Sequence, residues 1–352
     1  MAVIRAVLVP VLLYGAEIYG MNKSITSRMQ SFLTGALKAV VGVPQNGHFG
    51  LVSLWRELNV PPICALAAGR RARALVKARS LRTWVSRLAG MEFVSRRRTW
   101  MTLVRQWCRT HIPRLAAKCR DEGEDVPSYL HEKDGWLTAD PKVLSRDVAY
   151  LVWRREERLR DSKNARWYLE SGFHHNRIMT QRTGVIPGRI RGMNLVLKCR
   201  LGAYWTARMR ARRGLADAYY LTRCPYCSVQ EPETLAHVLI RCPQWETQRE
   251  YWLGFWLRLT STLVDTSDPD RDDRRVVLLL GGMAAGRQLE NWGFKQPDAA
   301  LEGDAGDSET SSSSGGTSGS SRTQAASDLH FRHGLLAVAG FLSSIAGERS
   351  YR

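Results

Sequence analysis

Arg70-Arg71-Ala72-Arg73-Ala74-Leu75-Val76-Lys77-Ala78-Arg79-Ser80-Leu81-Arg82-Thr83-Trp84-Val85-Ser86-Arg87-Leu88 has one period, and it is helical. Ala74, Ala78, Leu81, Val85 and Leu88 recur at helical spacing, which predicts one buried face. Arg70, Arg73 and Lys77 recur on another face, and Arg71, Arg79, Arg82 and Arg87 add charge around it. Gly90 closes the run, Arg96-Arg97-Arg98 follows, and Trp100 to Cys119 reads as a further basic helix broken at Pro113.

The same period appears upstream. Ile25, Met29, Phe32, Leu33, Ala36, Leu37 and Val40 predict a helix face, with Ser24 or Asn22 as cap and Gly42-Val43-Pro44 as stop. Val3 to Tyr19 is apolar and reads as helix, with Pro10 making a kink or a first turn, and Gln45 to Gly50 reads as a loop. Downstream, Asp121 to Pro141 is polar and rich in turn formers, which predicts a boundary. Val143 to Tyr168 and Leu195 to Arg213 read as helices, with a Gly184 to Gly192 loop between them. Trp245, Trp252, Phe255, Trp256, Leu259 and Leu263 share a face of a helix over 244–263. Thr266 to Arg274 reads as a charged loop, and Val276 to Leu280 as a short apolar run. Pro297 to Ser327 has the Ser/Gly/acid composition of a disordered linker, and Leu329 to Ile345 reads as an amphipathic helix. Strand signals are scarce, so the expected fold class is mainly α.

Charge narrows the function. The 352 residues carry 52 Lys/Arg against 33 Asp/Glu, a formal net charge of +19. Residues 1–120 hold 20 Lys/Arg against 3 Asp/Glu, residues 121–223 hold 20 against 13, and residues 224–352 hold 12 against 17. Cations at this density repel one another unless a polyanion meets them, so phosphate binding is the expected role of the Arg70, Arg73, Lys77 ladder. This balance argues against a generic small-molecule enzyme. No stretch has the apolar length of a membrane span, and Met1 to Tyr14 is too short and too weakly charged for a secretory leader. No Walker loop, G-x-G-x-x-G, G-x-S-x-G or H-E-x-x-H motif occurs.

Chemistry concentrates in one place. Cys224-Pro225-Tyr226-Cys227 is followed by His237 and Cys242, the pattern C-x2-C-x9-H-x4-C. Three thiolates and an imidazole fill a tetrahedral zinc shell with no open position, as a structural ion requires. The other cysteines (Cys64, Cys108, Cys119, Cys199) are scattered, which does not resemble a disulfide framework. A helical turn over 234–240 would set His237 one turn from Cys242. The finger's own segment is not basic, which favours stapling the fold over touching nucleic acid. The run before it would supply contacts through Lys198, Arg200, Arg208, Arg210, Arg212 and Arg213. His174-His175 reads as surface and Asp272-Asp273 as a solvated loop. Trp55, Trp84, Trp100, Trp107, Trp136 and Trp153 read as core more than as base-stacking platforms.

These residues resemble a family. Pro10-Val11-Leu12-Leu13-Tyr14-Gly15-Ala16-Glu17 looks like the P-x-L-x-Y-G-x-E stretch that follows the catalytic core of non-LTR (LINE-like) retrotransposon reverse transcriptases. The helix over 25–41 and the turn Leu58 to Pro62 match the order of that polymerase's thumb. Leu195 to Gly202, then Cys224, Cys227, His237, Cys242-Pro243, Trp245 and Arg249, is similar to its zinc-binding tail, H-x-x-x-x-C-P-x-aromatic-x-x-x-R. The resemblance covers about residues 1–260. The aromatic-x-Asp-Asp motif that holds the polymerase's metal ions is missing, since the one Asp-Asp is Asp272-Asp273 behind the finger.

The resemblance implies the C-terminal part of such a polymerase, inactive by itself, that grips template RNA and primer DNA. Implied partners are element RNA, target DNA and the missing fingers and palm, with no membrane. The implied location is the nucleus, with a cytoplasmic ribonucleoprotein. The alternative is a stand-alone zinc-dependent nucleic-acid-binding protein with a cellular role. The expected layout is a basic helical thumb-like region over 1–120, a helical connector over 121–214 and a CCHC zinc-binding region with flanking helix over 215–262. A poorly defined segment over 263–302, a disordered Ser/Gly linker over 303–327 and a C-terminal amphipathic helix over 328–352 complete it.

Overall fold

The computed structural model describes residues 1–43, 50–84, 86–87, 99–160, 162–173, 187–282 and 320–349. Helix dominates, and no strand occurs among the described residues. The chain divides into two compact units, Met1–Arg166 and Trp167–Arg352. The expected loop over 45–50 (but for Gly50), Val85 and Leu88 of the expected apolar face, Gly90, Arg96-Arg97-Arg98, His174-His175 and most of the Ser/Gly linker lie outside the described residues.

In the first unit, helical turns over Ile4–Leu8, Val9–Leu12 and Ala16–Tyr19 lead into α1, Lys23–Val41. Asn22 caps α1 by accepting from the Ser24 and Ile25 amides at 3.0 and 3.3 Å. Gly42 ends it in the left-handed region, at φ 65°. The buried face is Thr26, Gln30, Leu33, Leu37 and Val41, while Ile25, Phe32 and Val40 are exposed. The helix was legible, but its face is rotated from the expected one. α2 is Leu51–Leu58 and α3 is Ile63–Ser80. Gln30 Oε1 accepts the Ile63 amide at 2.7 Å, satisfying an end that Pro62 leaves without a side-chain cap.

α3 ends at Ser80, short of the expected Leu88. Its buried residues include Ala65, Ala68, Ala72, Leu75 and Val76; Ala74 and Ala78 are half-buried and Leu81 is exposed. α4 is Trp100–Asp121, and it runs through Pro113 without the expected break. α5 is Pro141–Leu159, capped by Asp140, which accepts from the Lys142 and Val143 amides at 2.8 and 3.0 Å. The expected boundary at 121–141 is packed structure. Leu130 and Trp136 are buried there, and Arg109 grips Asp134 with contacts of 2.7 and 2.6 Å. The chain divides instead within α6, Lys163–Glu170.

The second unit begins at Trp167 in α6 and continues through Phe173 to α7, Pro187–Arg200, so the Gly184 to Gly192 loop is helical from Pro187. The helix expected over 195–213 is interrupted after Arg200 and resumes as the short α8, Ala207–Ala211. α9 is Glu246–Leu263, α10 is Arg271–Leu279 and α11 is Ser320–Ile345. The charged loop expected over 266–274 holds as far as Asp270 and is helical from Arg271. α10 buries Val276, Val277 and Leu279 of the expected apolar run in the core, while 283–302 of the segment expected to be poorly defined lie outside the described residues. α11 starts inside the expected linker and buries Leu335, Val338, Phe341, Leu342 and Ile345 against Val196, Leu239 and Leu253.

Candidate metal centre

Ligand chemistry gathers where the spacing put it. One thiol sulfur each from Cys224, Cys227 and Cys242 and one ring nitrogen of His237 all lie within 4.8 Å of one another. This set can hold one metal ion. Cys224, His237 and Cys242 are buried and Cys227 is half-buried. The Cys224–Cys227 turn folds inward, with the Tyr226 amide 3.5 Å from Cys224 Sγ. His237 opens a π-helical turn, His237–Arg241, and the Cys242 amide closes it on the His237 carbonyl at 2.6 Å. A five-residue closure suits the four-residue gap between the two ligands. Thr234 Oγ1 accepts the His237 amide at 3.1 Å.

A second layer orients the first. His237 Nδ1 lies 3.0 Å from Glu231 Oε2, and Nε2 lies 3.4 Å from Cys227 Sγ. A carboxylate on one ring nitrogen, with the other nitrogen turned toward the site where the thiols converge, is the arrangement of metal-binding histidines. Burial opposes charge on the imidazole, but hydrogen bonds to Cys224 and Glu231 outweigh it and raise its pKa. The hydrogen bond with Cys242 and burial push the Cys224 thiol up to about 12, while the same contact lowers Cys242. So crowded a set of sulfurs favours a cation, which holds every thiolate at once.

Around this layer, Glu231 Oε1 accepts from Arg241 Nε at 2.9 Å, and Arg241 pairs with Asp272 at the start of α10. Asp272 is therefore a structural partner and not a residue of a solvated loop. Buried Arg249 donates to the Cys242 carbonyl at 2.7 Å. Tyr226 packs on buried Trp245, ring centroids 5.4 Å apart. Glu233 is fully buried; it accepts from the Ala207 amide and pairs with Arg349 beyond α11. Glu231, Glu233, Arg241 and Arg349 escaped the sequence reading. Its only available signal was acidic residues shortly before His237, which does not say which carboxylate turns inward.

The expected phosphate-binding residues separate. Arg71 is buried and its pKa is lowered by desolvation, and Arg200 is fully buried with its guanidinium 4.6 Å over Phe173 and donating to the Leu280 carbonyl at 3.2 Å. Both are corrected from ligand contacts to packing residues. Arg70 donates to the Leu13 carbonyl at 3.2 Å, and Arg73 is half-buried near Asp140. Lys77, Arg79 and Arg82 are exposed. Elsewhere in the first unit cations meet carboxylates: Arg56 grips buried Glu157, and Arg154 pairs with Glu124 and Glu157. In the second unit Lys198, Arg208 and Arg210 are half-buried, and Arg212 and Arg213 are exposed. Trp55, Trp136 and Trp153 are core, whereas Trp84 is 70% exposed.

No described helix is long and apolar enough to cross a membrane. Compared with known proteins, the chain matches no family model, no curated protein and no solved structure.

Proposed function

We propose that the chain is the C-terminal nucleic-acid-binding part of a non-LTR retrotransposon reverse transcriptase, with one structural zinc ion at Cys224, Cys227, His237 and Cys242. The observation that carries this reading is the four-ligand cluster, closed around a carboxylate-held histidine and placed directly after an arginine-rich segment. Three sulfurs and one nitrogen suit zinc and leave no position for a catalytic water, so the ion acts on shape. The arginines at 208–213, with Lys77, Arg79 and Arg82, supply phosphate contacts that do not depend on base identity. Element RNA and target DNA are the partners this implies. Val3, Val7, Val11, Tyr14 and Ile18 are each more than half exposed, an apolar surface on which the polymerase's other parts would pack.

The test is binding against salt, with the full zinc-loaded chain and two unrelated duplexes. Log K should fall linearly with log salt, at about −0.9 per phosphate neutralised. Replacing Arg212 and Arg213 by Gln should flatten that slope by close to 2 on both duplexes. Absence of binding, or identical slopes for the two proteins, rejects the reading.

A further inference from the structure

Residues 205–223 contain α8 and lead to the metal-binding turn, and they present two kinds of side chain. Five arginines stand there (208, 210, 212, 213 and 223) against a single carboxylate, Asp217. That carboxylate is turned to its own backbone, where it accepts the Tyr219 amide at 2.8 Å. The Arg213 guanidinium lies 4.8 Å over the half-buried Trp205 ring. The Arg223 guanidinium lies 4.9 Å from the ring of Tyr219 and donates to its hydroxyl at 2.7 Å. Tyr219 is 53% exposed and meets Tyr220 edge to face, centroids 5.9 Å apart.

The patch is held from below. Thr206 Oγ1 accepts the Met209 amide at 3.3 Å to cap α8, and buried Glu233 accepts the Ala207 amide. At its other end the segment runs directly into Cys224.

Duplex binding needs only cations, because its bases are stacked away inside the helix. Exposed rings beside guanidinium groups serve a strand whose bases are free to stack. Accepting the nucleic-acid reading above, we infer that this surface takes an unpaired strand. Tyr219 and Tyr220 stack its bases, and the arginines of 208–213 meet its phosphates. Tyr220 is half-buried beside Tyr219. On α9 the exposed rings Tyr251, Trp252 and Phe255 stand beside Glu246 and Glu250, and Arg258 there is already paired with Glu250 at 2.9 Å, so that face offers a phosphate backbone less charge.

The experiment compares the affinity of the full zinc-loaded chain for an oligo-dT strand and for a mixed-sequence duplex. Replacing Tyr219 and Tyr220 together by Ala should weaken the single strand by ~10-fold or more. The duplex should change by less than about twofold. The double Phe variant keeps both rings and should restore single-strand affinity, and Tyr251→Ala should alter neither ligand. Zinc content of each variant reports its fold. Equal losses on both ligands, or none, overturn the inference while duplex binding keeps the broader reading standing. A wild-type chain that binds neither ligand overturns both.

Discussion

His237 can bring only one nitrogen to a metal, and Glu231 decides which. By holding Nδ1 at 3.0 Å the carboxylate leaves Nε2 facing the sulfurs and raises its basicity. Replacing Glu231 by Ala should therefore weaken metal binding, measured with zinc, by about 10- to 100-fold. Competition with a chromophoric chelator measures this, and an unchanged affinity means that the ring is oriented by something else. The four ligands were legible because their chemistry is written in local spacing. Glu231 was not, because Glu233 looks the same in sequence yet turns the other way, to Ala207 and Arg349. Arg71 and Arg200 were misread for a related reason: residue type says charged, and only the fold supplies the ring and carbonyl that let Arg200 be buried.

Close approach between α7 and α11 depends on what is missing from Gly192, and Gly254 on α9 is its control. A Cβ on Gly192 of α7 would sit 2.1 Å from the Ala339 carbonyl oxygen of α11, and backbone cannot step aside. A Cβ on Gly254 of α9 would meet only the flexible carboxylate of Glu250. On propensity alone, Gly→Ala within a helix stabilises by roughly 0.5–1 kcal/mol. Gly254→Ala should thus be neutral or stabilising, whereas Gly192→Ala should destabilise by ~1–3 kcal/mol through overpacking. Denaturant midpoints of the two variants decide it, and equal shifts would mean that α11 does not pack against α7 this closely. Sequence periodicity located helices but not always their inward faces. α1 carries apolar residues on two sides, and α3 buries mainly alanines, so hydrophobic strength alone points to the wrong stripe.

For the whole molecule, the metal site is part of the second unit's core. Cys224 and Cys242 are members of the hydrophobic cluster that runs from Tyr168 through Val196, Leu253 and Leu280 to Ile345. The chain divides at Arg166 rather than at the polar stretch that looked like a boundary. That stretch misleads because its charges are spent on internal pairs, such as Glu124 with Arg154 and Asp134 with Arg109. Structural zinc contributes folding free energy outright, with apparent values of about 10–16 kcal/mol in isolated fingers. That exceeds the typical ~5–15 kcal/mol stability of a whole domain at its lower end. Chelation should consequently loosen more than the knuckle. Amide exchange should accelerate across 187–282 and 333–349, including α10 and α11, which hold no ligand. Exchange within α1, α3 and α5 should stay unchanged. Acceleration confined to 224–242 would show that the knuckle folds separately from its core, and acceleration throughout 1–160 would show that the two units share one cooperative transition.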